Sequence, residues 1–590
     1  MVKRMSRALA AFIVLFGPTA WCSVADGGSP APAKVPNVYG EGILFVYSGL
    51  DGKTLWESPF VASTTGGEVG LKFHLASEQT LRFRLPGSGL GSLRFRVVAN
   101  DLLVADVPGA DDPLVAVFAS ADLVVGRVPS GGSVSVEGTG TETVLLQKQD
   151  GKRTQFAFAY SAEGAREAAK VASQGLKASI DTLVEQYLAF FGSTPSAPQD
   201  TDALTCRTLA KAFSVMKANV YAPEKLILSR WTTPARWPER QMSPRESVFH
   251  SLGLVHLDAG LAKDALAAVY AFQGSDGFIP NTMPAQPTEA ISHPPLLAWA
   301  AWRVYELDNR RDRKFLEQSY AVISKQVVWY MKQRRLGGEP PPEKSLEYGR
   351  PLYGWKTAAE SGQDNSPRFA GGADFAAIDL ACYLASECRA LQRMAQALRF
   401  GEQAKTWGRR AEAIERAARE CLWDPDRGFF FDRRGADGPW VDTWTSAAFL
   451  TLWSGVATKD QANRLVGHLM SGKFRTAMPV ATVARDDPAF KKDLWSGAAW
   501  PTMNYLIIRG LQRYGYTKEA VDLRQRTLEA VGQWYARTGA LWEFYDPDGE
   551  APPAQLDRNG WKTSGIGYAV LSDYNPTAAV FADLVLRPEP

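Results

Sequence analysis

The chain is poor in the residues that much enzyme chemistry draws on. Only five histidines, His74, His250, His256, His293 and His468, occur in 590 residues. No two are spaced as an H-E-x-x-H pair, which excludes a zinc hydrolase of that type. Five cysteines, Cys22, Cys206, Cys382, Cys388 and Cys421, are too few for a disulfide scaffold, and their spacings match no zinc site. No G-x-S-x-G elbow and no Walker loop is present. The glycine-rich PGSGLGS (86–92) lies in a strand-like region without the helix that a phosphate cradle needs. Neither sign of charge dominates: 66 basic residues face 63 acidic ones, for a net charge of +3. Nucleic acid and anionic membrane surfaces therefore have no electrostatic claim on the chain. With no metal or cofactor motif, no cofactor is expected.

Long apolar runs are also missing, apart from one near the start. Lys3, Arg4 and Arg7 precede the apolar Ala8–Phe16, and a small-x-small site follows at Ser23-Val24-Ala25. Residues 1–25 therefore read as a signal peptide, with export to the periplasm or outside the cell. The run is too short for a permanent anchor. No later segment supplies one, so no membrane anchor is expected after cleavage. Aromatic residues, by contrast, are plentiful, with 18 Trp, 19 Tyr and 28 Phe. Their faces are surfaces on which pyranose rings stack.

Patterning divides the chain. Over 35–160 apolar residues alternate with period two: Leu81, Phe83 and Leu85 in LRFRL, then Leu93, Phe95 and Val97, then Phe156, Phe158 and Tyr160. Gly-rich turns separate these runs, which predicts an antiparallel β-sandwich domain. Residues 161–200 read as a linker helix followed by the linker STPSAPQDT. From 201 to 590 nearly everything has helical periodicity. Helix starts are expected near Thr201, Arg245, Leu261, Pro295, Asp312, Ala373, Gly401, Thr443, Lys459, Pro501, Lys518 and Thr577. About a dozen helices joined by long Gly- and Pro-bearing loops predict paired helices in a ring. The fold class is mainly α, with the β-sandwich at its N-terminal side.

With other chemistry discounted, carboxylates remain. Glycoside hydrolysis needs two, one protonated to donate to the leaving oxygen and one ionised to activate water or attack. ESGQDNSPRF (360–369) supplies Asp364, and WEFYDPDGE (542–550) supplies Glu543 between two aromatics, where water is excluded and a pKa can be tuned. In LWSGAAWPTMNY (494–505), Trp495 and Trp500 suit a sugar-stacking wall. The bland alternatives are a helix N-cap for Asp364 and a surface salt bridge for Glu543. Asp546 and Asp548 read as turn residues.

GFIPN (277–281), ESGQDNSPRF, LWSGAAWPTMNY and WEFYDPDGE, in that order, resemble glycoside hydrolase family 63 and its trehalase relatives over roughly residue 200 to the C-terminus. The resemblance implies an (α/α)6 barrel, often with an N-terminal β-domain, and inverting hydrolysis of α-linked glucosides or related oligosaccharides. It implies Asp364 as general acid and Glu543 as general base, with the carboxyls about 6.5–9.5 Å apart. By the same resemblance Glu360 and Arg368 line the sugar site or hold Asp364. Asn281 contacts sugar hydroxyls, and Trp500 and Asn504 belong to a W-P-x-x-N-Y segment. Three departures surround this set. The family's W-D-S-x-F-H reads RESVFH, putting Arg245 for Trp and Glu246 for the sugar-holding Asp. W-R-G-P reads Trp495-Ser496-Gly497-Ala498, and Q-P-P reads His293-Pro294-Pro295. An altered substrate, or a relative that binds carbohydrate without hydrolysing it, is the alternative they imply.

Overall fold

The computed structural model describes residues 34–51, 53–87, 89–283, 291–337, 350–565 and 567–589. The expected signal peptide, 1–25, lies outside the described residues.

Eleven strands form two antiparallel sheets. The first runs β1 (Leu44–Phe45), β2 (Ala62–Thr64), β3 (Gly70–Phe73), β4 (Gln79–Arg84) and then β9 (Ser133–Glu137). The second has the order β10 (Thr143–Asp150), β11 (Arg153–Tyr160), β8 (Leu123–Val128), β7 (Leu114–Ser120), β6 (Leu102–Asp106) and β5 (Arg94–Val98). Phe73, Leu81, Phe83, Phe156 and Phe158 fill the space between the sheets, as period-two alternation requires. Val97 breaks that pattern. A register shift between Phe95 and Val97 turns Val97 to the outer face of the second sheet while Val98 joins the inter-sheet core. A bulge inserts one residue and reverses which side follows.

The segment expected as a linker helix is two helices, α1 (Ala165–Gly175) and α2 (Ile180–Ser193). Ala172, Ile180 and Phe191 pack on the outer face of the second sheet against Val97, Val115 and Val117. The burial of that face explains why β7 and β8 are apolar on both sides.

The remaining helices make a closed double ring. The inner members are α4 (Pro244–Leu254), α6 (Leu297–Leu307), α8 (Ile378–Leu398), α10 (Leu450–Ser454), α12 (Pro501–Arg513) and α15 (Asn575–Leu586), each touching the next and α15 returning to α4. Around them lie α3 (Ala203–Ala218), α5 (Ala259–Tyr270), α7 (Arg313–Gln333), α9 (Gly401–Cys421), α11 (Lys459–Leu469) and α13 (Thr517–Thr538). A single short turn, α14 (Trp561–Ser564), sits in the last long loop. This is the expected (α/α)6 barrel. Sequence explains the two rings: every residue of α4 is buried, the mark of a helix enclosed on all sides, whereas α9, α11 and α13 each keep a polar face. At Gly253 an added Cβ would lie 2.5 Å from the Ala579 Cα, so glycine lets α4 and α15 approach. Two starts fall short of the structure: α8 begins at Ile378 rather than near Ala373, and Ser446–Phe449 is a 3-10 turn before α10.

Buried polar groups tie the sandwich to the barrel. Asp573, just before α15, accepts from Leu44 N (3.0 Å), Asn100 Nδ2 (2.6 Å) and Lys211 Nζ (2.9 Å). Lys211 and Asp573 are both fully buried. Glu387 of α8 caps the start of α6, accepting from Ala298 N (2.8 Å) and Trp299 N (2.9 Å). Burial pushes its carboxyl up to about 7, against those two donors.

Candidate active site

Inner helices α4, α12 and α15 present their N-terminal ends to one cleft of about 190 Å³. Arg245 and Glu246 in the first turn of α4, Trp500 before α12 and Tyr574 before α15 line it, joined by Asn281, His293, Asp364, Trp495, Glu543 and Arg558 from the connecting loops. Loops separated by most of the chain therefore converge on one mouth.

The Asp364 loop is pinned on both sides. Before it, Glu360 is buried and spends both oxygens on Arg334 (Nε–Oε2 3.0 Å) and on Lys356 N (2.9 Å). After it, Arg368 is buried between Asp379 and Asp432, with Nη1–Oδ2 of Asp432 at 3.0 Å. Neither Glu360 nor Arg368 lines the cleft. Of the two roles the resemblance implies, lining the sugar site or holding Asp364, their ion pairs fit the second: they brace the loop that bears Asp364. Asn365 completes the brace by accepting from Trp495 N (2.8 Å), while Ser496 Oγ donates to the Asn365 carbonyl (2.7 Å). Gly362 takes φ 63°, and a Cβ there would meet His293 Nε2 at 3.0 Å and Arg245 Nη1 at 3.1 Å.

Asp364 is open to solvent in the cleft, with protein crowding its other sides. That crowding pushes its carboxyl up to about 6; the charges of Arg558 and Arg245 oppose the rise, and Glu246 and Glu543 add to it. The group is thus poised between proton donor and carboxylate near neutral pH.

Glu543 is buried, its backbone N–H donating to Leu571 O (3.0 Å). Its carboxylate receives two parallel bonds from Arg558, Nε–Oε2 2.8 Å and Nη2–Oε1 3.0 Å. Bidentate guanidinium–carboxylate pairs of this form are directional and strong. Arg558 in turn stacks on Tyr568, 4.3 Å from the ring centre, and the Tyr568 hydroxyl bonds Glu239. Sequence reading missed Arg558. It stands in QLDRNGW with no spacing signal, and only the fold of the loop leading into α14 brings it to Glu543.

The RESVFH departure acquires a local account. Arg245 sits 4.9 Å from the Trp495 ring centre and 5.9 Å from that of Trp500, and its Nη1 donates to Gly362 O (3.3 Å). Glu246 accepts from the Ser243 hydroxyl. Burial raises its carboxyl, but His293, Arg245 and Ser243 together hold it below the usual range. Burial puts the His293 imidazole down at about 4. It is neutral at pH 7, so Arg245 is the standing positive charge beside Glu246. Ser243 also bonds His293 Nδ1 at 3.0 Å.

Trp495 and Trp500 stack on each other at 4.1 Å and 11°. Trp500 stacks further on Phe544 at 5.3 Å, so its faces are engaged by protein and it supports the wall rather than offering a platform. The turn between them needs glycine: Gly497 has φ 146°, and a Cβ would lie 2.3 Å from Lys491 O. Asn504 stands apart from the cleft. It is fully buried, does not line the cleft, and holds the Pro479–Val480 segment by accepting from Val480 N (2.6 Å). Asn281 does line the cleft, its backbone N–H donating to Ile291 O at 2.9 Å. No His, Cys, Asp and Glu cluster that could hold a metal ion occurs among the described residues.

Residues 239–564 match the family model for the mannosylglycerate hydrolase MGH1-like glycoside hydrolase domain. The mannosylglycerate hydrolase of Rubrobacter radiotolerans is 27% identical over 259 residues, 43% of this chain and 53% of that protein. The periplasmic trehalase of Pseudomonas aeruginosa is 27% identical over 330 residues, 52% of this chain and 54% of that protein. The chain spans about half the length of the curated relatives it matches. A solved mannosylglycerate hydrolase of family 63 from Thermus thermophilus, in complex with Tris, superposes with a TM-score of 0.51, covering 64% of this chain and 99% of that one at 19% identity. At that identity the likeness speaks for the fold. These relatives are glycoside hydrolases, and with its family model matched across the barrel's cleft-bearing loops, the chain belongs to the MGH1-like glycoside hydrolases.

Proposed function

We propose that the protein is an inverting O-glycoside hydrolase in which Asp364 protonates the leaving oxygen and Glu543 activates water. The observation that carries this is the contrast between two carboxyl groups in one cleft. Asp364 holds its proton up to about pH 6, while Glu543 is salt-bridged to Arg558. Environments that set two carboxyls apart define an acid and a base. Arg558 also orients Glu543; Oε2 accepts from Leu571 N as well, and Oε1 keeps a lone pair for a water.

The substrate we infer is a small α-linked glycoside carrying a carboxylate on its aglycone. A cleft of about 190 Å³ holds one or two rings rather than a long chain. Arg245, placed where the family has an aromatic residue, adds a fixed cation beside the acid. Four relatives are named for mannosylglycerate, a glycoside of this kind. The test is sugar release from a panel of α-glucosides, α-mannosides and glycosyl-glycerates. Carboxylate-bearing members are expected to lose about 10–100-fold in kcat/KM in Arg245→Ala, as for loss of a charged hydrogen bond, and neutral members much less. Equal losses would remove the carboxylate assignment.

A second function is favoured by one observation: both Glu543 oxygens are already engaged by Arg558. A protein that binds glycosides without cleaving them would bind panel members tightly and release no sugar.

The pH dependence follows from the acid. Only protonated Asp364 can donate, and its pKa is raised, so activity is full below about pH 6 and is lost as pH rises through it. The expected profile of kcat/KM falls about tenfold per pH unit above that point. A flat profile to pH 8 would reassign the acid. Export is proposed from residues 1–25, and a periplasmic relative is compatible with it. N-terminal sequencing of the mature protein, expected to begin after Ala25, checks it.

A further inference from the structure

A second cavity of about 430 Å³ is larger than the cleft. Trp500, before α12, lines the cleft, whereas Arg509 and Arg513 on the same helix line this one. At 1.5 Å per residue they lie about 14 and 20 Å further along the axis. Arg303 on α6 and Arg389 and Arg393 on α8 bring the arginines to five, and Trp299, Trp302 and Trp453 form walls between them. No carboxylate lines it among the described residues.

Three of these arginines reach acids outside the cavity. Arg303 pairs with Glu306 (3.1 Å), Arg389 with both oxygens of Glu415 (2.8 and 2.9 Å), and Arg509 with Asp583 (2.8 Å). Asp583 is shared with Arg587 and with the Tyr505 hydroxyl. Arg393 and Arg513 have no carboxylate partner among the described residues. Arg513 gives one N–H to Trp453 O at 3.2 Å, which leaves most of its five donors free. Arg513 is open to solvent on one side; protein crowding its other sides, and then the charge of Arg393, holds its guanidinium below its usual range.

Crowded cations, idle donors and no anion together describe a site short of negative charge. We propose that this cavity binds a compact dianionic phosphoryl group, carried free or as the monoester of a small polyol, with Arg393 and Arg513 as its principal ligands. Planar guanidinium forks match phosphate oxygens, and the space beside Trp299 admits a ring or short polyol. With no carboxylate in the lining, the site binds and does not hydrolyse.

The test is calorimetric titration of the whole protein with inorganic phosphate and with glucose 6-phosphate, near pH 7.5, at ionic strength fixed by sodium chloride. The wild type is expected to bind at least one probe saturably, one to one. Arg393→Met should weaken binding about tenfold or more, and Arg393→Met combined with Arg513→Met should abolish it. Arg513→Lys serves as an independent variant that keeps the charge but loses the planar fork, and it should weaken binding severalfold. Asp364→Asn, which alters only the cleft, should leave it unchanged. Tighter binding of the ester identifies a phosphorylated polyol as the ligand, and tighter binding of inorganic phosphate identifies the free ion. The proposal is overturned by no saturable heat with either probe, by equal affinity in Arg393→Met, or by loss of binding in Asp364→Asn.

Discussion

Replacing Asp364 by asparagine is expected to lower kcat on an ordinary α-glycoside by about 100- to 10,000-fold, the range for removal of a general acid. Asparagine keeps the shape of the side chain but cannot deliver a proton. The loop should stay in place, because Glu360 and Arg368 are held by their own partners and Asn365 by Trp495. Substrate identity makes the result specific. A glycosyl fluoride needs little help to leave, so Asp364→Asn should spare much of its hydrolysis. Glu543→Gln should suppress both substrates, because water attack is common to them. The opposite pattern, with Glu543→Gln spared on the fluoride, would exchange the two roles. Undiminished activity of Asp364→Asn on both substrates would remove it from the chemistry altogether.

The second large effect lies away from the cleft. Lys211→Met is expected to destabilise the protein by about 3–5 kcal/mol, as for a buried ion pair that loses one member. Lys211 and Asp573 are both fully buried, so the orphaned carboxylate has no route to water. It would keep its donors Leu44 N and Asn100 Nδ2, which places the loss toward the lower end of the range. Lys211→Met with Asp573→Asn removes both charges and should recover part of it. Urea unfolding followed by tryptophan fluorescence reads the difference. A change under about 1 kcal/mol in the single variant, the scale of an exposed pair, would mean that water or a rearranged side chain reaches Asp573. The same junction matters for function. Asp573 lies between Leu571, whose N–H is 3.3 Å from Glu543 Oε2, and Tyr574, which lines the cleft. The β-sandwich thereby helps hold the segment that backs Glu543.

Much of the architecture was legible in the sequence. Period-two alternation marked the inner faces of the sandwich, because a strand exposes alternate residues to alternate sides. Enclosed helices such as α4 and amphipathic ones such as α9 and α13 carried the two-ring arrangement in their patterns. The loops bearing Asp364 and Glu543 were visible as polar knots within apolar sequence. Val97 was misplaced because a bulge leaves no compositional trace. The resemblance left Glu360 and Arg368 either to line the sugar site or to hold Asp364, and put Asn504 with the sugar ligands, because sequence gives a residue's charge but not its partner. Arg334, Asp379, Asp432 and the Val480 amide had already claimed them.

The sequence by itself determined the class of fold, the scarcity of metal and thiol chemistry, and the two carboxylate-bearing loops, since these rest on local periodicity and composition. Tertiary structure alone decided which polar groups meet. Arg558 reaches Glu543, Arg245 settles against the Trp495–Trp500 stack, Lys211 meets Asp573 across 362 residues, and five arginines line a cavity that no carboxylate lines among the described residues. The physical reason is that a side chain's electrostatics depend on neighbours a few ångströms away, and ring closure of six helix pairs, rather than spacing along the chain, chooses those neighbours.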